Sequence, residues 1–249
     1  MANSKKAVAK RGNKAAVRQD ETTAIVSPKR GFEAGVDQGD LIIPRAKLIQ
    51  ALSPEMQEGT DGIKVGSIIN SLTKRVLPEE FIPVFSFKNF IRFNPRSKDD
   101  PNFNTAHDPG AVMWKTSDPH DPLVIEQTRF GDNGEKPLAT TFLSFFSYFP
   151  GVPMPVIVSF SKTSYRTGKQ LLSLCRFSGG DMFSRRYRLT SQMETNDIAT
   201  YAVLRVSPLG EAEGRDLALC ESLWNDYSGK TQNIQVHEET GQSEDERPY

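Results

Sequence analysis

The sequence predicts a mainly β, α+β fold: an elaborated β-barrel with one helix set between its strands and a second helix at its C-terminal end. Two stretches carry that prediction. Pro155–Val206 reads strand, helix, strand, strand: Val156-Ile157-Val158-Ser159-Phe160 is a β-branched run, Ser164–Arg176 has an apolar stripe at helical spacing, and Tyr187–Thr195 and Tyr201–Val206 alternate again. Ahead of it, Phe81–Phe93 and Thr141–Phe149 are extended and rich in aromatics.

Taken in order, residues 1–38 form a basic arm. Lys5, Lys6, Lys10, Arg11, Lys14 and Arg18 precede the first acid, Asp20, and apolar residues are too sparse to offset the entropy of ordering. Such an arm is expected to be disordered, either touching phosphates or simply solvated. A single domain is expected over 39–229. Leu41-Ile42-Ile43 is a short apolar run stopped by Pro44, Ser53-Pro54-Glu55 starts a turn or helix, and Gly66–Leu72 reads as a strand. Phe81–Phe93 is the clearest strand. Alternation puts Phe81, Phe85, Phe87, Ile91 and Phe93 on a core face and Lys88, Phe90 and Arg92 on the other.

Asn94–Asp121 is rich in proline and holds His107-Asp108-Pro109 and His120-Asp121-Pro122. Imidazole and carboxylate suit a divalent metal, but two Asx-Pro turns explain the same residues. Val112–Lys115 and Leu123-Val124-Ile125 read as short strands. Phe142, Phe145, Phe146, Tyr148 and Phe149 occupy both faces of one strand, so that strand is covered on both sides or lies at an interface. The helix over Ser164–Arg176 has Leu171, Leu172, Leu174 and Cys175 inward and Arg166, Lys169 and Arg176 outward, with Thr163 or Ser164 as N-cap and Gly179-Gly180 as its stop. Glu211–Tyr227 is a last helix. From Gly229 the chain turns acidic, so 230–249 is read as a disordered tail.

Composition limits function. The 31 basic and 31 acidic side chains cancel, so binding to a polyanion must come from local clusters. The two cysteines, Cys175 and Cys220, lie among apolar neighbours and read as reduced core thiols, which suits the cytoplasm. The longest apolar stretch, Phe142–Phe160, is broken by Pro150, Pro153 and Pro155, so no membrane span or membrane partner is expected. No Gly-rich phosphate loop or nucleophile elbow is present, and neither catalysis nor a cofactor is expected.

Five strands with a helix between the third and fourth is the order of an OB-fold barrel, whose curved face grips single strands. The strands assigned to it are about 66–72, 81–93 or 141–149, 155–160, 184–195 and 198–206. Basic and aromatic residues recur on three of its segments: Lys88, Phe90 and Arg92; Lys162, Tyr165, Arg166 and Lys169; and Arg186, Tyr187 and Arg188. Cations meet phosphates and aromatics stack on bases, whereas buried aromatics and a charge-protected sheet edge are the plainer alternative.

Leu41–Gln50, Gly66–Thr73 and Ser159–Lys169 together resemble bacteriophage single-stranded DNA-binding proteins of the OB-fold type, over about residues 40–228. The resemblance implies sequence-independent coating of single-stranded DNA in replication or recombination, in the host cytoplasm, with self-association open. It also implies that the acidic tail, here Glu244, Asp245, Glu246 and Tyr249, recruits replication or recombination proteins. Two other readings stay open: a viral structural or interaction module with aromatic strands at an interface, and a metal-dependent nuclease using His107, Asp108, His120 and Asp121.

Overall fold

The computed structural model describes residues 41–59, 62–197, 199–229 and 235–236. The arm expected over 1–38 and almost all of the tail expected over 230–249 lie outside the described residues. In chain order the elements are β1 (Ile42–Ile43), β2 (Ala46–Leu48), α1 (Pro54–Gln57), β3 (Ile68–Asn70), β4 (Glu80–Phe93), β5 (Val112–Thr116), α2 (Pro122–Gln127), β6 (Ala139–Tyr148), β7 (Val156–Phe160), α3 (Tyr165–Phe177), β8 (Arg185–Thr195), β9 (Thr200–Glu211), α4 (Gly214–Tyr227) and β10 (Gln235–Val236). The protein is mainly β, with the helix α3 between strands and α4 near the C-terminal end, as the sequence predicts.

One antiparallel sheet dominates. Its order is β7-β6-β4-β8-β9, with β5 also on β4. The strand β4 is the hub. Its start pairs with β8 (Phe81 opposite Tyr187), its length with β6 and its end with β5. The sheet does not close on itself, and β7 and β9 are its edges. Residues 44–50 reach from one edge to the other: Ile157 N–H donates to the Pro44 carbonyl at 2.8 Å, and the Gln50 side chain exchanges two 2.9 Å hydrogen bonds with the backbone of Ala202. The stretch read as a barrel strand over 66–72 instead supplies β3, which pairs with β2 in a separate two-stranded sheet. Leu123-Val124-Ile125 is helical rather than extended, because Asp121 caps the Leu123 N–H at 2.8 Å and Pro122 occupies the first turn.

Both faces of the sheet are covered. On the inner face, Phe81, Leu143, Phe145, Val158, Phe160, Tyr187 and Leu189 pack with Leu171 and Cys175 of α3 and with Ala46 and Leu48 of β2. On the outer face, Ile82, Val84, Phe146 and Ile157 pack with Ile43, Phe183 and Cys220 of α4. This is why β6 is apolar on both sides. The helix α3 spans 165–177 with Leu171 and Cys175 buried and Arg166, Lys169 and Arg176 exposed. Ser164 stands at its N-cap, but its hydroxyl makes no capping hydrogen bond.

One residue of extra length reorients β4. Pro83 lies opposite Ser147 and Phe85 opposite Phe146, so Val84 is the additional residue of a β-bulge. Beyond it the alternation is shifted by one. Phe81 faces inward, whereas Phe85 and Phe87 face outward with Phe146. The alternation read through Phe81–Phe93 as one uninterrupted period therefore fails at this point.

A buried ion-pair group ties β2 to α1. Lys47 donates to Glu55 at 2.8 Å and Lys74 at 3.0 Å, with Lys47 and Glu55 2% and 3% exposed. Burial works to raise the Glu55 carboxyl, but hydrogen bonds from Lys47, its own backbone and Lys74 outweigh it and lower the carboxyl from 4.5 to about 2. A depressed carboxyl contributes stability above its unfolded value, and that contribution is lost as the pH falls through the folded one. Acid unfolding is expected to lose on the order of 3 kcal/mol from this group between about pH 4.5 and 2. Glu55→Gln should melt lower at pH 7 by about 3–5 kcal/mol, because Lys47 stays buried, and should show a shallower acid slope in denaturant titrations.

Gly168 sits where α3 crosses Phe160. A Cβ there would lie 2.7 Å from the Phe160 Cβ and 2.9 Å from its Cγ. Those atoms stand close to the β7 backbone and cannot swing away. Gly168→Ala is expected to lower stability by about 1–3 kcal/mol despite the better helix propensity of alanine, as read by urea midpoint.

Candidate nucleic-acid interface

The three basic and aromatic clusters fall in different environments. On β4, Phe90 is 7% exposed and faces the sheet interior. It cannot stack a base, because the helix α2 lies on that face: Gln127 of α2 accepts from Arg92 at 3.0 Å and from the Trp114 indole at 3.2 Å. Arg92 is thereby held in a structural contact. Lys88 alone of that cluster is exposed. It lies in one cross-strand row with Leu143 and Phe160, on the inner-face side.

The third cluster is a brace. Tyr187 is 1% exposed, tilted against Phe81 within the inner core, so it offers no platform to a ligand. Burial pushes its phenol well above the ordinary range, and the neighbouring Cys175 thiol adds to the shift. Arg186 pairs with Glu80 at 3.1 Å and with the Glu211 carbonyl at 2.8 Å, and Arg188 pairs with Glu79 at 3.5 Å. These contacts tie β8 to the start of β4 and the end of β9. Arg188 lies opposite Glu80, on the face away from Phe81 and Tyr187, whereas Lys88 is on the same side as the inner core. The three clusters therefore do not form one surface.

The second cluster keeps its character. After β7 the chain makes a 3-10 turn over Lys162–Ser164 and enters α3, which carries no acid along its length. Lys162, Arg166 and Lys169 are exposed, and the Lys169 ammonium stands 5.6 Å from the Tyr165 ring centroid. Tyr165 rests its other side on the inner core.

Of the aromatics that sequence alternation assigned to the core, Phe81 is buried, whereas Phe85, Phe87 and Phe93 are partly accessible. On the outer face, Phe85 stacks on Phe146 at 4.8 Å, Phe87 stands 6.3 Å from Phe85, and Phe93 meets Phe142 edge-on at 6.3 Å. Phe85, Phe87, Phe93 and Phe142 are half-buried, so part of each ring remains open. Tyr227 of α4 closes one end of the strip by stacking on Phe146 at 5.0 Å. Lys115, opposite Ile91, flanks the other end on the same face. The signal that locates this strip in the sequence is Pro83, since proline inside a strand marks an edge or a bulge.

The histidine loop is organised by Asn94. Its amide donates to the carbonyls of Asn104, His107 and Asp108, and its Oδ1 accepts from the Asn104 N–H at 2.8 Å. Asp118 accepts from the His120 N–H at 2.8 Å, and Asp121 caps α2. Among the described residues no three His, Cys, Asp or Glu side chains gather. Cys220 is buried under α4, where desolvation, with the Asp216 carboxylate, pushes its thiol up to about 12. The tail residues Glu244, Asp245, Glu246 and Tyr249 lie outside the described residues.

Replacing the two neighbours on β8 separates brace from core. Tyr187→Ala is expected to cost about 3–5 kcal/mol in urea unfolding. Arg188→Ala should cost less than about 1 kcal/mol, because its partner is exposed and the pair is long.

Among the described residues no helix is long and apolar enough to cross a membrane. Neither the curated proteins nor the solved structures contain a match to this chain. A family model of bacteriophage origin does match, over residues 10–233, and the chain belongs to that family, the Pam3 phage gp34-like proteins.

Proposed function

We propose that this phage protein binds single-stranded DNA without sequence choice and without catalysis, coating strands during replication or recombination. The observation that supports this reading is the strip of half-buried phenylalanines Phe85, Phe87, Phe93 and Phe142 on the outer face of β4 and β6. Counting β4, β6, β7, β8 and β9 as five strands, α3 falls between the third and fourth, which is the order of an OB-type domain. That fold is partly open and holds oligonucleotides on the face of its second and third strands, here β6 and β7, to which Phe142 belongs and beside which the β4 rings lie. Aromatic rings on such a face stack bases of any identity.

One cation flanks the strip on its own face, and others follow β7 on the side of the sheet that α3 covers. Lys115 lies beside its far end, and Lys162 follows the last residues of β7, with Arg166 and Lys169 continuing along α3. In this reading these supply phosphate contacts, and Lys88 adds a further positive charge on the same side of the sheet as α3. The acidic tail, with Glu244, Asp245, Glu246 and Tyr249, recruits replication or recombination proteins in this reading. A tethered polyanion also competes with DNA for the basic surface at a concentration set by its linker. The same half-open rings would suit a protein partner equally, and the nucleic-acid titration separates the two readings.

The test is a titration of a labelled homopolymer strand over a range of salt. Affinity should fall linearly in log salt, with a slope of about −0.7 per phosphate neutralised. Combined Lys162→Glu, Arg166→Glu and Lys169→Glu should weaken binding more than about tenfold and shallow the slope by about 2. Phe142→Ala should cost about 1–3 kcal/mol of binding, the worth of one stacked base. Absence of binding at low salt would sink the proposal and favour the protein-interaction reading.

A further inference from the structure

We infer that Asn89 is a hydrogen-bonding contact to a nucleobase stacked on the outer-face strip. The inference rests on the single-strand reading and deepens it, because it makes the site read the presence of bases and not only phosphate. Asn89 stands in β4 directly opposite Phe142, between Phe87 and Ile91 on the outward-facing period. It is 6% exposed, yet its side-chain amide makes no hydrogen bond to any described residue. Its amide end is not sealed from solvent.

Among the described residues the other buried amides each hold at least one hydrogen-bond partner. Asn70 accepts from the Leu72 and Thr73 N–H groups, Asn94 holds the histidine loop, and Gln127 takes Arg92 and Trp114. Even the neighbouring hydroxyls are paired, Ser144 with Ser159 at 2.9 Å. Its donor and acceptor meet no side chain or carbonyl of the described residues and are left to solvent. The amide therefore stands ready for a ligand that brings its own donor and acceptor.

A carboxamide presents one donor group and one acceptor side by side. Adenine matches it along N6 and N7, and in a single strand the pairing edges of the other bases are open too. A base stacked on Phe142, directly across from Asn89, or on Phe87, two residues before it, would bring an edge to Asn89. The contact adds affinity for bases without selecting one of them.

The experiment uses the full chain, a homopolymer DNA strand and an abasic strand of the same length. Asn89→Leu is expected to bind the base-bearing strand about five- to tenfold more weakly, the worth of one hydrogen bond, and the abasic strand unchanged. It should melt no lower than the parent, which an amide with a structural role would not allow. Unchanged affinity for the base-bearing strand, or a lower melting temperature, overturns the inference and leaves the single-strand reading standing. So does equal binding of base-bearing and abasic strands by the parent. Failure of the parent to bind either strand at low salt overturns both.

Discussion

The bulge at Val84 is the constraint on which the rest of this structure depends. A strand with an unbroken period of two would send Phe81, Phe85 and Phe87 to the same side. The inserted residue divides them. Phe81 goes inward, where it stacks with Phe149 at 5.6 Å and fills the core under α3. Phe85 and Phe87 go outward, where they join Phe146 and Tyr227 in a second aromatic layer. One strand can then serve two partners, β8 at its start and β6 along its length, because the bulge bends and twists it between them.

The covering of the sheet follows from this division. The inner layer is sealed by α3, by β2 and by the 44–50 segment that links the two sheet edges. The close approach of Gly168 to Phe160 sets how deep α3 can sit. The outer layer is covered by α4 over Ile82, Val84, Phe146 and Ile157, with Phe85 and Phe87 only partly buried against it. Past Phe146 the rings are half open. The same arrangement that stabilises one part of the outer face leaves the other part available, and the cation Lys115 flanks that open part.

Charge works differently in the three places where the sequence concentrates it. Around Glu55 it is buried and geometrically close, so the carboxyl is held at about 2. Along β8 the guanidiniums are spent on Glu79, Glu80 and Glu211. On α3 the helix has no acid of its own, and Arg166 and Lys169 project from its outward face. Only the last arrangement sets cations on an element with no acid of its own.

The sequence by itself determined the mainly β class, the helix between strands, the C-terminal helix and the double covering of β6. Each of these rests on local periodicity: β-branched runs, helical spacing of Leu171 and Cys175, and apolar residues on both faces of one strand. It also determined the basic character of 162–169, since no acid lies nearby in the chain. Tertiary structure alone decided which aromatics are open. Phe90 and Tyr187 carry cations on either side in sequence and look exposed, but α2 and the inner core bury them. Phe85 and Phe87 look like core, but one extra residue turns them outward. Pairing partners decided the fate of Arg186 and Arg188, because Glu79 and Glu80 lie more than a hundred residues away along the chain. Burial and ion pairing depend on which distant segments meet, and a local pattern carries no information about that. The family match to phage proteins gave the chain its origin, and the geometry of β4 gave the surface on which its proposed function rests.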